Sequence, residues 1–475
     1  MADERFADLG DTPEISRHFS PAPPEAWREA VQRLGHPLEH LREWTPDGIG
    51  IEPLYTPADA GPSPGFPGCA PFIRGSGPLG TLQGGWTTVP LETGPEPQRV
   101  AAHIREAMGL GAGGVWLRGD APLRIGVDPG DPRAVGGAVD GIVVSTVDDM
   151  AVLLGGFDAG PICLRLDGGG GTVPLLALTA AALRARDDGP SWTGALGNDP
   201  IGALAENGEL PDDLGGALRL LPEVVTWAES AALGIRTVTV SLLPYHLAGA
   251  GAANELALAL AAAVEYMRWC ERGGVAVPTF ARHLVFLVPV GRDLFIELAK
   301  LRALRRLWSR VLSACGSPEA RPAAVHAVTS PRSLSPRDPW INLLRVTEAG
   351  FAAVVGGADW VTTLPFDSPL GVPGELGRRL ALTTQTILRE ESHLGRVIDP
   401  GGGSWYLESI TDQLAHAAWS RFQDIEDSGG IAPAVESGSL RDTLDETRKE
   451  LREQVATGRR RVTGVSSYPV LEEAP

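Results

Sequence analysis

Lysine is almost missing from this 475-residue chain: Lys300 and Lys449 are its only two, and nearly all positive charge is carried by arginine. Little room is left for Schiff-base chemistry on a lysine amine. Cysteine is scarce as well. Cys69, Cys163, Cys270 and Cys315 are far apart and form no C-x-x-C pair, which reads as reduced thiols of a cytoplasmic protein. Positive charge is outweighed to a net −18, so a phosphate backbone would be repelled and nucleic acid is excluded as a partner. Long hydrophobic runs are absent. The longest uncharged stretch, Thr237 to Asn254, contains Ser241, Pro244, Tyr245 and His246 and reads as a strand, a loop and a helix start. It is not a membrane span. No basic and apolar leader follows Met1, where Asp3, Glu4 and Asp8 stand instead. There is no G-K-[ST], the glycine run 168–171 does not meet G-x-G-x-x-G, no G-x-S-x-G elbow stands between a strand and a helix, and no His/Cys/Asp/Glu cluster has metal-ligand spacing.

What is present is an alternation. Short β-rich runs fall at Trp86–Val89, Gly114–Arg118, Ile162–Leu166, Trp192–Leu196, Thr237–Leu242, Leu284–Val288, Val325–Thr329 and Trp360–Leu364, with amphipathic stretches between them. A further short run, Ile142–Ser145, lies outside this count of eight. Strands alternating with helices imply a parallel sheet, and eight units suggest a (β/α)8 TIM barrel, with an open doubly wound sheet as the alternative. Leu294, Leu298, Leu301, Leu304, Trp308, Val311 and Cys315 form one helical stripe. Arg302, Arg305, Arg306 and Arg310 lie on the other side, and Gly316 is placed as a cap.

Residues 1–20 read as a disordered tail and 21–80 as an extended N-terminal arm, with helical spacing over Trp27–Leu41 and a Pro/Gly-rich stretch at 56–75. The barrel is assigned to 81–400 and a helical segment to 401–475, with stripes at Leu414, Ala418, Phe422, Ile425 and at Leu440, Leu444, Leu451, Val455. The basic triplet Arg459–Arg461 reads as a solvated pairing with a helix C-terminus.

Three places invite chemistry. Asp167-Gly-Gly-Gly-Gly-Thr172 follows a strand and opens a helix; it is either a phosphate cradle or a tight βα turn. Pro244-Tyr245-His246 closes a strand, on the rim where barrels build active sites, so His246 is either an acid, base or donor or a buried structural histidine. His326 and Asn198-Asp199 also fall at expected strand ends.

Longer runs carry a resemblance. Arg396-Val-Ile-Asp-Pro-Gly-Gly-Gly-Ser-Trp-Tyr-Leu-Glu408 is similar to a signature of the methylmalonyl-CoA mutase family. So are Phe366-Asp-Ser-Pro-Leu-Gly-Val-Pro373, Thr383-Thr-Gln385, Glu390-Glu391, Pro71-Phe-Ile-Arg-Gly75, Leu298-Ala-Lys-Leu-Arg-Ala303 with Leu307-Trp308, and Pro244-Tyr245-His246 through Ala248-Gly249-Ala250. The likeness covers about residues 27–470. It implies a TIM barrel preceded by an arm. In catalytic members a flavodoxin-like domain follows, holding adenosylcobalamin through D-x-H-x-x-G, and the barrel orients an acyl-CoA for radical rearrangement.

This sequence departs from that catalytic pattern. The D-x-H-x-x-G motif is absent, and no cobalamin-binding flavodoxin-like domain is expected after the helical segment. The family's T-M-Y tyrosine is Thr81, the glutamine of I-Q-N-D is Gly197, the serine of R-x-S-F-F is Leu284 and the glutamine of H-C-Q-T-S is Val328. Tyr245, His246, Arg282 and His326 match the family but read as vestigial, so no catalytic residue and no cofactor is expected on this chain. The pattern resembles the small, non-catalytic subunit of the heterodimeric bacterial enzymes, which implies a catalytic large subunit as partner, holding the adenosylcobalamin, with the stretch 20–75 wrapping it. Two other readings compete: a substrate-binding large subunit whose B12 domain is a separate chain, and a repurposed acyl-CoA-binding or interaction protein.

Overall fold

The computed structural model describes residues 23–470, apart from 83, 129–130, 135–139, 159, 187–190 and 232. The tail expected over 1–20 lies outside the described residues. The chain divides into two units, Met1–Tyr55 and Thr56–Pro475.

In the first unit the helix expected over Trp27–Leu41 is shorter, Pro24–Arg33, with a separate 3-10 turn at Leu38–His40. Pro37 explains the break: it has no N–H to donate and disfavours helical backbone at the residue before it. An antiparallel ribbon then pairs Glu43–Trp44 with Gly50–Ile51, where Arg42 stacks on Trp44 at 5.8 Å and pairs with Glu52.

The second unit is the barrel. Its strands are β1 (Thr87–Thr88 and Leu91–Glu92), β2 (Val115–Arg118), β3 (Ile162–Asp167), β4 (Trp192–Leu196), β5 (Gly234–Arg236 and Val238–Ser241), β6 (Leu284–Val290), β7 (Ala324–Thr329) and β8 (Trp360–Thr362). Every neighbouring pair is parallel, and the pairings run β1 to β8 and back to β1. The sheet is therefore closed, and the open-sheet alternative is excluded. β1 and β5 each belong to two ladders because each is interrupted. In β1 the break is Pro90, which cannot donate, so Thr87–Thr88 pair with β8 and Leu91–Glu92 pair with β2. The run at Ile142–Ser145 is no strand; Ile142 alone bridges Gly94 and Gly119.

Alternation along the strands separates two cores. Leu117, Leu164, Leu166 and Trp192 face the helices with Val100, Ile104 and Leu175. Trp116, Leu287, Val328, Val89 and Leu364 point inward and fill the barrel axis. Gln385, on the helix Glu375–Glu390, clamps the closing seam. Its Oε1 accepts from Trp86 Nε1 at 2.8 Å and from Thr88 Oγ1 at 2.9 Å, and its Nε2 donates to the Val361 carbonyl at 3.1 Å. This gives the Thr383-Thr-Gln385 run a structural purpose.

The helix Leu294–Ala314 forms as its stripe predicts, and Gly316 follows the cap at φ 74°. Two of the four arginines on its other side, Arg302 and Arg305, are buried, while Arg310 is exposed. Arg302 is fully buried, with Nη2 on Glu408 Oε1 at 2.6 Å and Nη1 on Asp399, and Asp399 also accepts from Arg74 Nε at 2.9 Å. Arg305, 4% exposed, donates to the carbonyls of Phe72, Ile73, Gly356 and Gly357. The Pro71–Gly75 and Arg396–Glu408 signatures thus meet on this helix. The Pro/Gly-rich stretch ends docked against its own barrel rather than as a free linker. Gly402 is required there: a Cβ would lie 2.4 Å from Asp399 Oδ2 and 3.1 Å from Arg74 Nη2.

Beyond β8 the described residues are helical, with Glu375–Glu390, Trp405–Asp427, Ile431–Glu436 and Ser439–Ala456 the main elements and no further sheet among them. No helix among the described residues is long and apolar enough to cross a membrane. Replacing Arg302 by alanine strands Asp399 and Glu408 in a buried site and is expected to cost about 3–5 kcal/mol. Urea denaturation checks this; a loss no larger than that of a surface arginine would show that the knot carries no stability.

Candidate functional site

The positions singled out from the sequence do not converge. Arg282 lies at the N-terminal end of the barrel, just before β6, half exposed and bonded to Glu229 Oε2 at 3.0 Å. Leu284 opens β6 and is fully buried; since Val285 and Leu287 face inward, it faces the helices. Neither is at the C-terminal rim. Thr81 lines a small cavity with Arg74, Ser76, Asp359, Trp360 and Asp399, again at the N-terminal end. Gly197 follows β4, with a would-be Cβ 2.8 Å from Asp167.

His326 is not at a strand end. It sits within β7, buried in the barrel, edge-on to Trp116 at 5.5 Å and to Trp360 at 5.9 Å. Thr362 Oγ1 donates to the Val89 carbonyl, so His326 Nε2 must donate to Thr362 at 2.8 Å. Burial, with Arg165 nearby, pushes its pKa well below the ordinary value. Arg165 itself lies 5.2 Å over the Trp116 ring and is buried, which lowers it to about 10. Val328 packs among these groups. The barrel axis at this level is therefore occupied by side chains.

The four-glycine loop is also filled. A Cβ on Gly171 would meet the Leu123 carbonyl at 2.2 Å, and one on Gly170 would meet Pro211 at 2.5 Å. Thr172 Oγ1 bonds within the loop to the Gly169 carbonyl at 2.8 Å. This is a packed βα turn and not an open cradle. Asp199 caps the helix Pro200–Asn207 and accepts from Tyr266 and from the Ser241 amide at 2.7 Å. Burial raises it to about 6 despite those bonds.

His246 is the residue that does reach the C-terminal rim, in the short helix Leu243–Ala248 directly after β5. It is 2% exposed, and both ring nitrogens are engaged: Nδ1 with Glu255 Oε1 and Nε2 with Ser330 Oγ, each at 2.6 Å. Burial, with Arg332 and Lys300 nearby, lowers it to about 4 against the pull of Glu255, so the ring is neutral. Burial alone would raise Glu255, but Lys300 and His246 hold it ionised. A neutral imidazole facing a carboxylate donates through Nδ1, which leaves Nε2 to accept from the Ser330 hydroxyl. Lys300 continues the chain, pairing with Glu255 at 2.8 Å and Glu297 at 2.6 Å and donating to the Pro289 carbonyl at 2.7 Å.

Serine, histidine and glutamate in this order are the polar groups of a nucleophilic hydrolase. Here Ser330 is 1% exposed and does not line the cavity above. Tyr245 is buried too, pointing away from solvent. Sequence reading missed Glu255, Ser330 and Lys300. The available signals were a carboxylate nine residues beyond His246, and a lysine set inside an apolar stripe in a chain nearly free of lysine.

A closed eight-stranded barrel with this rim defines the class, and comparison with known proteins agrees. The chain belongs to the methylmalonyl-CoA mutase family, whose model matches residues 44–475. It is 40% identical to the methylmalonyl-CoA mutase small subunit of Streptomyces virginiae, over 97% of this chain and 73% of that protein. It is 38% identical to the probable small subunit of Mycobacterium tuberculosis H37Rv, over 94% and 69%. To the large subunit from the same Streptomyces virginiae it is 30% identical, over 94% and 62%.

The His246 proton gives a signed prediction. In the unfolded chain a histidine protonates near 6.5, but in the fold His246 resists until about 4. Its contribution is therefore full above 6.5 and is lost as pH falls toward 4. The stability advantage of the wild type over His246→Asn is expected to shrink by roughly 2 kcal/mol between pH 7.5 and pH 5. Denaturant titrations at the two pH values measure it; a constant gap would mean that the ring titrates in the fold as it does in the unfolded chain.

Proposed function

We propose that this chain is the non-catalytic small subunit of an adenosylcobalamin-dependent methylmalonyl-CoA mutase, a cytoplasmic protein that pairs with a catalytic large subunit and stabilises it. The observation that carries this reading is the rim. The family's histidine, His246, has no ring nitrogen left for a ligand, and the axis beneath holds Trp116, Arg165 and His326. The higher identity to the small than to the large subunit of one organism supports the same side of the pair. None of the nine histidines of this chain stands in the D-x-H-x-x-G pattern that holds cobalamin in catalytic members, and both ring nitrogens of His246 are engaged within the chain. The reading therefore places the cofactor, and the acyl-CoA chemistry it supports, on the partner.

Folded partners stabilise one another by mass action. The first unit, Met1–Tyr55, is the proposed wrapping element, because the later part of the arm is already held by Arg305 and Asp399 of this chain.

Reconstitution with a catalytic large subunit tests both points. Turnover per complex is expected to be the same with wild type and with Tyr245→Phe of this chain. The chain alone, or mixed with an isolated B12-binding domain, is expected to show none. Turnover in that last mixture would establish the substrate-binding reading instead. Deleting Met1–Tyr55, which spares Arg74, is expected to abolish co-purification with the large subunit; unchanged pull-down would place the interface elsewhere.

A further inference from the structure

Above the His246 network lies a cavity of about 550 Å³ on the C-terminal face of the barrel. The loops after β6 and β7 form one wall, and the helix Ser439–Ala456 with the chain beyond it forms the other. The helix sits close because residue 249 is glycine: a Cβ there would lie 3.0 Å from the Arg448 backbone.

Five arginines line this space: Arg292, Arg332, Arg448, Arg452 and Arg460. In a chain of net charge −18 that is a pronounced local reversal. The two acidic groups on the wall are already committed. Asp293 caps the helix Leu294–Ala314, and Glu297 pairs with buried Lys300. Arg448 is paired with Asp445, and Arg332 donates to the His246 carbonyl at 2.6 Å. The guanidinium groups of Arg292, Arg452 and Arg460 have no hydrogen bond or ion pair among the described residues. Arg292 is half-buried, and burial followed by the charges of Arg460, Arg345 and Arg332 lowers it to about 10. Such crowding of unneutralised guanidinium groups destabilises a fold unless an anion joins them. The remaining wall is apolar, with Leu451, Val455, Val462 and Val465 facing Leu247 and Leu334.

We propose that this cavity binds a phosphate-bearing anion of nucleoside diphosphate size, its phosphates on Arg292, Arg452 and Arg460 and its apolar part against the valine and leucine wall. Guanidinium forks match phosphate oxygens in pairs, and a space of this volume suits a ligand of that size. The site is independent of whether the chain acts as a small subunit. It gives the barrel face a ligand of its own.

Calorimetric titration of the full chain with ADP and with inorganic pyrophosphate tests this. ADP is expected to bind with a dissociation constant below about 100 µM, and pyrophosphate at least about tenfold more weakly for want of the apolar contact. The double variant Arg292→Gln, Arg460→Gln is expected to lose at least about tenfold in ADP affinity. Its unliganded melting temperature should equal or exceed that of the wild type, because a repulsion has been removed. Arg292→Lys should retain part of the binding. Neither ligand saturating at millimolar concentration, or ADP binding undiminished in the double variant, would overturn the site. A double variant that melts below the wild type would show instead that these arginines are structural.

Discussion

The fold turns on one buried guanidinium. Arg302 has no route to water and must be neutralised by the chain itself, and the groups that do so come from the 396–408 signature. Arg74 joins through the shared Asp399. An ion pair of this kind need not exceed a packed apolar core in stability. It joins three segments at one register, with Arg302 and Arg74 sharing Asp399 and Arg302 also held by Glu408. The arm, the helix after β6 and the segment after β8 are tied at one point, and the closed barrel holds that point steady.

The same logic explains why His246 presents no free ring nitrogen at the rim. His246 and Ser330 occupy the rim where ligands are met in other barrels. Here they satisfy each other, with Glu255, Lys300 and Glu297 completing the chain. A fully satisfied buried network rigidifies its surroundings, whereas a reactive one must leave a lone pair or a proton for the substrate. In the interior, Trp116 and Arg165 fill space along the axis.

Much of the architecture was legible in the sequence, since strand and helix periods are local and each of the eight β-rich runs overlaps a strand. The interruption of β1 could have been read from Pro90. The burial of Arg302 and Arg305 could not, because a charged helix face looks solvated until its covering segments, far away in sequence, are placed. His326 was misplaced for a related reason. A strand's ends depend on its neighbours, and pairing with β6 starts β7 at Ala324, one residue before the expected run, so His326 is its third residue. The rim cavity was invisible because its arginines come from two strand-end loops and a distant helix. Of these only Arg459–Arg461 formed a run, and that run read as ordinary surface charge.

The Arg302 knot also orders events in time. Asp399 and Glu408 follow Arg302 by 97 and 106 residues, so a ribosome that has just made the helix has not yet made its counter-charges. Until they emerge, burying that face is forbidden, and the helix remains an exposed amphipathic segment beside a half-built barrel. Domains generally fold as units during synthesis. In this chain the knot completes only after residue 408 has emerged, and a message cut short before residue 399 leaves Arg302 without its counter-charges.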